Sequence, residues 1–130
     1  MFWKKKNKNI GSIGEELAGQ YLKKKGFKLI EFNYENKLGR RLGEIDIVAE
    51  KNDELVFVEV KTRLVRKGSV VFPEENITRD KLHKLQKIAR DYIRENDFWN
   101  KSYHFDAVSV LLSEENNKVL EIRHLESIFY

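Results

Sequence analysis

The chain has 130 residues, enough for one domain with a single core, and its hydrophobic share of 41% is that of a folded protein rather than a disordered one. Lysine and arginine number 25 against 21 acids, and the resulting net charge of +4 permits a polyanionic partner without requiring one. The absence of cysteine excludes disulfides, thiolate nucleophiles and cysteine–zinc sites.

No apolar run approaches the length that a bilayer requires, and the N-terminus lacks the apolar stretch of a secretory signal. We therefore expect a cytoplasmic protein with no membrane partner. The segment "MFWKKKNKNI" predicts a basic arm over residues 1–10, which either attracts phosphate or only solubilises the chain end. A single domain over residues 11–130 is expected to follow it.

The first predicted element is a helix over "SIGEELAGQYLKKKGF", where apolar residues recur at helical spacing. Ser12 and Glu15 have the spacing of a capping box, which predicts that the helix begins at Ser12, and Gly26 ends it. The stretch "FKLIEFNYENK" then predicts a strand.

The next stretch, "GEIDIVAEKNDELVFVEVKTR", predicts a hairpin that turns at Asn52-Asp53. Alternation assigns Ile45, Ile47 and Ala49 to one face of its first strand and Glu44, Asp46 and Val48 to the other. The same rule groups Leu55, Phe57, Glu59 and Lys61 on one face of the second strand. That face is apolar near the turn and charged at the far end, which indicates a partly covered face with a cleft at its rim.

A loop then leads to "RDKLHKLQKIARDYIREN", whose apolar stripe predicts a second helix with Thr78 as its N-cap. Two strands follow, over "YHFDAVSVLLS" and "KVLEIRHLESIF". The order of helix, three strands, helix and two strands predicts a mixed sheet packed by helices, in an α/β or α+β fold.

The two-residue turn places Asp46 directly opposite Glu59 and Glu44 opposite Lys61, since each pair of numbers sums to 105. Facing β-carbons lie roughly 4.5–5.5 Å apart, so the two carboxylates would repel unless a cation intervened. Oxygen ligands favour Mg²⁺ or Mn²⁺, with the Lys61 ammonium beside the ion. The alternative is a salt bridge between Glu44 and Lys61 beside two solvated acids.

The hairpin resembles the core of the PD-(D/E)xK nuclease superfamily, in which an aspartate on one strand precedes a Glu-x-Lys on the next. Over most of its length the chain resembles the YraN family of small nuclease-like bacterial proteins, in the block "GEELAGQYLKKKGF", then Asn33, and then the blocks "GEIDIVA", "FVEVKTR" and "FDAVSV". The resemblance implies an α/β, restriction endonuclease-like α-β-β-β-α-β core with a mixed sheet flanked by helices.

The resemblance also implies a divalent-metal-dependent DNA endonuclease that hydrolyses phosphodiester bonds, at branched or distorted DNA in the related Holliday-junction resolvases. Asp46, Glu59 and Lys61 would be the catalytic residues, and Mg²⁺ or Mn²⁺ would be held by Asp46, Glu59, Glu15 and the Val60 carbonyl. Glu15 has a capping-box explanation as well. Glu44, from the "GEID" block, would assist as a supporting group or a further ligand.

Several basic residues are candidates for binding the phosphate backbone, because such contacts give affinity without reading sequence. They are Arg63, Arg66 and Lys67 after the "EVK" strand, and Lys81 and Lys84 on the second helix. The alternative function is a non-catalytic nucleic-acid-binding module that retains the nuclease fold. The resolvase relatives act as pairs, which makes a homodimer a further expectation.

Overall fold

The computed structural model describes residues 9–69 and 78–128. Residues 1–8 of the predicted basic arm and residues 70–77 of the predicted loop therefore lie outside the described residues. The predicted order of a helix, three strands, a helix and two strands is confirmed. The elements are α1 (Ile10–Lys24), β1 (Lys28–Glu35), β2 (Glu44–Lys51), β3 (Glu54–Val65), α2 (Arg79–Glu95), β4 (Tyr103–Ser113) and β5 (Val119–Leu125).

The five strands form one mixed sheet in the order β1-β2-β3-β4-β5. β3 and β4 run parallel, joined by the crossover through α2, and the other neighbouring strands run antiparallel. The two helices cover opposite faces of the sheet, since α1 and α2 belong to separate core clusters. This architecture is the expected α/β fold and is consistent with a restriction endonuclease-like core. None of the described helices is long and apolar enough to cross a bilayer.

The turn of the β2–β3 hairpin is the predicted one. Asn52 and Asp53 both have positive φ, 51° and 63°, as a two-residue type I′ turn requires. The predicted register is confirmed from Lys51 opposite Glu54 as far as Ile47 opposite Val58. The face that carries Leu55 and Phe57 is covered, as expected, because both side chains are buried in the α2 cluster.

The far end of the hairpin departs from simple alternation. Ile47 packs in the α1 cluster, whereas Ile45, two residues earlier, packs in the α2 cluster. The expectation that Ile45 shares a face with Ile47 is therefore wrong. On β1 the residue between the partners of Ile45 and Ile47 is Asn33, whose φ is 54°.

The predicted start of the first helix is also wrong. α1 begins at Ile10, and its N-cap is Asn9, whose side-chain oxygen accepts a hydrogen bond of 2.8 Å from the Ser12 backbone N–H. Ser12 therefore stands three residues inside the cap, and Glu15 lies in the second turn, where it takes no part in capping. A capping box therefore does not explain the glutamate at position 15.

α1 lies very close to the sheet at Gly14. A β-carbon at that position would come within 1.7 Å of the Thr62 hydroxyl oxygen on β3, so only glycine fits without a shift of the helix. Glu15 follows directly and is carried to the sheet by this close approach. At the other helix the predicted cap is confirmed, since the Thr78 hydroxyl accepts a hydrogen bond of 3.2 Å from the Lys81 N–H.

Candidate metal centre

A cleft of about 550 Å³ opens where β2 and β3 separate. Their ladder runs as far as Ile47 and Val58; beyond it Glu44 and Ile45 still pair with β1, while Glu59 and the residues after it pair with β4. The first half of α2 forms the other wall. The lining residues are Leu42, Gly43, Glu44, Asp46, Glu59, Val60, Thr78, Asp80, Lys81, Lys84, Leu85 and Ile88.

Three carboxylates from two elements meet at this end of the sheet. One side-chain oxygen each from Glu15, Glu44 and Asp46 lies within 4.8 Å of the other two. Glu15 comes from α1, and Glu44 and Asp46 come from β2. Carboxylate oxygens at this separation are hard donors of the kind that Mg²⁺ and Mn²⁺ bind.

Asn33 joins two of these carboxylates. Its side-chain amide donates hydrogen bonds of 3.0 Å to Glu15 Oε1 and to Glu44 Oε1. The left-handed backbone of Asn33 turns its side chain toward them, and asparagine tolerates that conformation better than most residues. Sequence reasoning gave Asn33 no chemical role, and its signal was its place in the family pattern, between the first two blocks.

Asp46 accepts a hydrogen bond of 2.7 Å from the Val60 backbone N–H through Oδ2. Its carboxyl group also contacts Glu59, the pairing that the register predicts. Burial and the nearby Glu59 carboxylate, with a smaller contribution from Glu15, raise the pKa of Asp46 to about 8 against the lowering effect of the Val60 N–H. An acid so crowded by other acids is one that a cation would stabilise in its charged form.

Glu59 is nearly fully buried, and its ion-pair partner is the Lys81 ammonium, which reaches across the cleft from the first turn of α2. Sequence analysis predicted Lys61 as the cation beside the acids. Among residues 9–69 and 78–128, Lys61 is half-buried, forms no ion pair and is not one of the residues that line the cleft. The salt bridge between Glu44 and Lys61, which was the alternative to a metal site, is therefore not formed, and Glu44 accepts a hydrogen bond from Asn33 instead.

The other predicted phosphate-binding residues divide into two groups. Lys81 and Lys84 line the cleft, on the wall opposite Asp46 and Glu59. Arg63, Arg66 and Lys67 are exposed at the end of β3 and in the turn beyond it, outside the cleft lining. Arg66 Nε lies 4.0 Å from Glu114 Oε2, a contact between two exposed side chains. The structure thus brings the helix lysines to the acidic cluster and leaves the strand-end residues apart from it.

Comparison with known proteins places the chain in a family. The model of the family described as "Uncharacterised protein family UPF0102" matches residues 14–110. A UPF0102 protein of Syntrophomonas wolfei is 44% identical over 117 residues, which cover 89% of this chain and 96% of the relative. UPF0102 proteins of Alkaliphilus oremlandii and Dictyoglomus thermophilum are 42% and 39% identical, and each alignment covers 95% of this chain and at least 98% of the relative. The chain therefore belongs to the UPF0102 family, which is the YraN family that its sequence blocks resemble.

Proposed function

We propose that this chain is a divalent-metal-dependent nuclease of the PD-(D/E)xK superfamily that hydrolyses phosphodiester bonds in DNA. The observation that supports this most strongly is the crowding of acids from three elements around Asp46, which groups with Glu15 and Glu44 and also contacts Glu59. Glu15 comes from α1, Glu44 and Asp46 come from β2, and Glu59 comes from β3. Acids that contribute only to solubility are expected to lie apart, because the repulsion between neighbouring carboxylates opposes folding.

The donor set fits Mg²⁺ or Mn²⁺. All the side-chain donors are hard carboxylate oxygens, and no cysteine is present to favour a softer ion. A bound divalent cation would also relieve the repulsion that raises the pKa of Asp46. We assign Glu15, Asp46, Glu59 and the Val60 carbonyl as ligands, with Glu44 as a further candidate. When bound, the ion would polarise a phosphate oxygen and lower the pKa of a water molecule.

The remaining residues position these groups. The Val60 N–H fixes the direction of the Asp46 carboxylate, and Asn33 holds Glu15 and Glu44 together. The Lys61 ammonium has no acid partner among the described residues. It lies outside the cleft lining, and by turning toward the cleft it would orient the attacking water or stabilise charge on the phosphate. Lys81 and Lys84 would hold the substrate backbone against the opposite wall of the cleft.

The proposal is tested by a cleavage screen over linear, flapped and four-way DNA with Mg²⁺ or Mn²⁺. We expect metal-dependent cleavage of at least one substrate, with Asp46→Asn and Lys61→Ala each abolishing it while the circular dichroism spectrum stays that of the parent. Glu115→Gln, which removes an exposed acid from the β4–β5 turn, is the matched control and should cleave like the parent. Equal cleavage by Asp46→Asn and the parent would reject the proposal.

A second candidate function is a nucleic-acid-binding module without turnover. The ion pair between Lys81 and Glu59 favours it, because one acid of the cluster is already neutralised by a cation of the chain itself. Metal binding separates the two functions. A catalytic site should bind Mn²⁺ in calorimetry and lose that binding on Asp46→Asn, whereas a pure clamp should bind DNA equally well with or without a chelator. The cytoplasmic location and the homodimer stay predictions.

A further inference from the structure

A second pocket, distinct from the acidic cleft, lies farther along α2. Its volume is about 300 Å³, and its lining residues are Asn36, Leu38, Leu42, Lys87, Arg90, Asp91 and Arg94. Leu42 lines both the pocket and the cleft, so the two are neighbours along one crease between α2 and the segment over residues 36–43. We call this second pocket the basic pocket.

The wall facing α2 is held in a fixed shape by hydrogen bonds. The Asn36 side-chain amide donates to the Leu38 and Arg40 carbonyls, and its oxygen accepts from the Leu42 N–H, each over 3.0 Å. The segment is also tied to α2, because the Lys37 N–H donates to Asp91 Oδ2 over 2.5 Å. A pocket with a pre-ordered wall loses little conformational entropy when a ligand binds.

The charge of the basic pocket is not balanced internally. Lys87, Arg90 and Arg94 are exposed, and none of them forms an ion pair with an acid of residues 9–69 or 78–128. The one acid of the lining, Asp91, is buried and accepts hydrogen bonds from the Lys37 N–H and, over 3.3 Å, from the Tyr34 hydroxyl. Three cationic side chains therefore surround the pocket, and the one acidic side chain of the lining already accepts two hydrogen bonds. Such a pocket suits a ligand that carries several negative charges.

The geometry points to a second phosphate site in the basic pocket. We propose that it binds the backbone phosphates of the same DNA strand whose scissile phosphate enters the acidic cleft, so the inference rests on the proposed function. From Lys84 in the cleft to Arg94 in the pocket, ten residues of helix rise about 15 Å. That length equals four to five base pairs of a duplex whose axis runs along α2, at an axial rise of about 3.4 Å per base pair. Leu42 lies between the two sites and would contact the sugar and base of the bridging nucleotides.

The test measures DNA binding without cleavage. Affinity for a fluorescein-labelled four-way junction and for a labelled single strand is measured by anisotropy in EDTA over a range of salt concentrations. Lys87→Gln and Arg94→Gln should each weaken binding several-fold and reduce the slope of log K against log salt by about 0.9 on duplex arms and about 0.7 on the single strand. Lys24→Gln removes an exposed lysine of α1, on the opposite face of the sheet, and should change neither quantity.

The outcomes separate this inference from the proposed function. If the pocket variants match Lys24→Gln in affinity and slope, the second phosphate site is rejected, even if the parent cleaves DNA. If the pocket variants lose affinity and slope while the parent shows no metal-dependent cleavage, the phosphate site stands and the nuclease proposal fails. Because the substituted side chains are exposed, the variants should keep the thermal midpoint of the parent, which is measured alongside.

Discussion

The two ends of the β2–β3 hairpin differ in structure: the strands pair regularly at the turn end and separate at the open end. At the turn end every residue from Ile47 to Lys51 faces a partner on β3, and Phe57 and Val58 are 1% exposed. At the open end the strands separate, the Asp46 side chain accepts a hydrogen bond from the Val60 N–H, and Asp46 groups with Glu15 and Glu44. Regular pairing fixes the register at one end, and that register delivers Asp46 and Glu59 to the place where pairing stops. Departures from local rules concentrate where function is expected.

The largest predicted effect is on the turn end. Phe57→Ala removes a buried ring that packs against Tyr92 and Phe105, with ring centroids 5.8 Å and 5.5 Å away. We expect the free energy of unfolding in urea to fall by about 3–5 kcal/mol, while cleavage or metal binding per folded molecule stays unchanged. Phe57→Leu is the control and should cost less than about 1.5 kcal/mol. A loss of site function with stability intact would contradict the division between the two ends.

The open end should respond in the opposite direction. Because burial and Glu59 raise the pKa of Asp46 to about 8, the folded protein binds a proton more tightly than the unfolded chain, whose aspartates titrate near about 3.9. Stability should therefore fall as pH rises from about 4 to about 8. Asp46→Asn can keep an oxygen acceptor for the Val60 N–H without the charge.

Urea unfolding in EDTA gives the measurement for this substitution. We expect Asp46→Asn to be as stable as the parent near pH 4 and more stable by an amount on the order of 1–3 kcal/mol at pH 9. Excess Mn²⁺ should then stabilise the parent but not the variant, since a ligand that binds only the folded state raises its stability. A variant less stable than the parent at both pH values would show that repulsion between Asp46 and the neighbouring acids does not destabilise the folded protein.

A smaller effect is expected at Asn33. Asn33→Gly keeps the left-handed backbone but removes both hydrogen bonds to the carboxylates of Glu15 and Glu44. Groups that orient metal ligands are worth roughly 10-fold or more in metal affinity, so Mn²⁺ binding measured by calorimetry should weaken by about that factor. Asn117→Gly, at another left-handed position with a φ of 58° in the exposed β4–β5 turn, serves as the control with the same loss of side chain. Unchanged Mn²⁺ affinity in Asn33→Gly would remove Asn33 from the site.

The smallest effect should come from the ion pair across the cleft. Since Lys81 pairs with Glu59, a metal ion at Glu59 competes with the ammonium. Lys81→Met keeps most of the aliphatic stem without the charge, and we expect it to raise Mn²⁺ affinity about 3–5-fold, within the range of a partly exposed ion pair. Lys84→Met, from the same wall of the cleft, should leave that affinity nearer to the parent value. A fall in Mn²⁺ affinity in Lys81→Met would mean that Lys81 supports the ion rather than opposing it.

Much of the fold could be predicted because its signals are local. Asn52-Asp53 is short enough to specify one register, and that register held along the ladder. The stripe of α2 and its Thr78 cap were predicted correctly because both rest on spacing within one helix. The convergence of Asp46 with Glu59 followed from the turn alone.

The errors arose where local patterns compete or where distant residues decide. Asn9–Ser12 and Ser12–Glu15 have the same spacing, and helical periodicity cannot tell which of them caps the helix. Ile45 and Ile47 are buried in different core clusters, so alternation within β2 alone could not predict the burial of Ile45 beside α2. Lys81 reaches Glu59 only because α2 folds over the sheet. Local sequence patterns could not predict that Glu59 would pair with Lys81 rather than with Lys61.

The contact of Gly14 with Thr62 ties the site to the way the domain is assembled. Glu15, which we propose as a metal ligand, cannot be repositioned by a substitution at Gly14, since any side chain there would push α1 away from Thr62 and withdraw Glu15. Laboratory selection for altered metal preference should therefore find its gains on the hairpin and on α2, and leave the first helix untouched. In this sense one missing methyl group restricts the routes by which the chain can acquire a new chemistry.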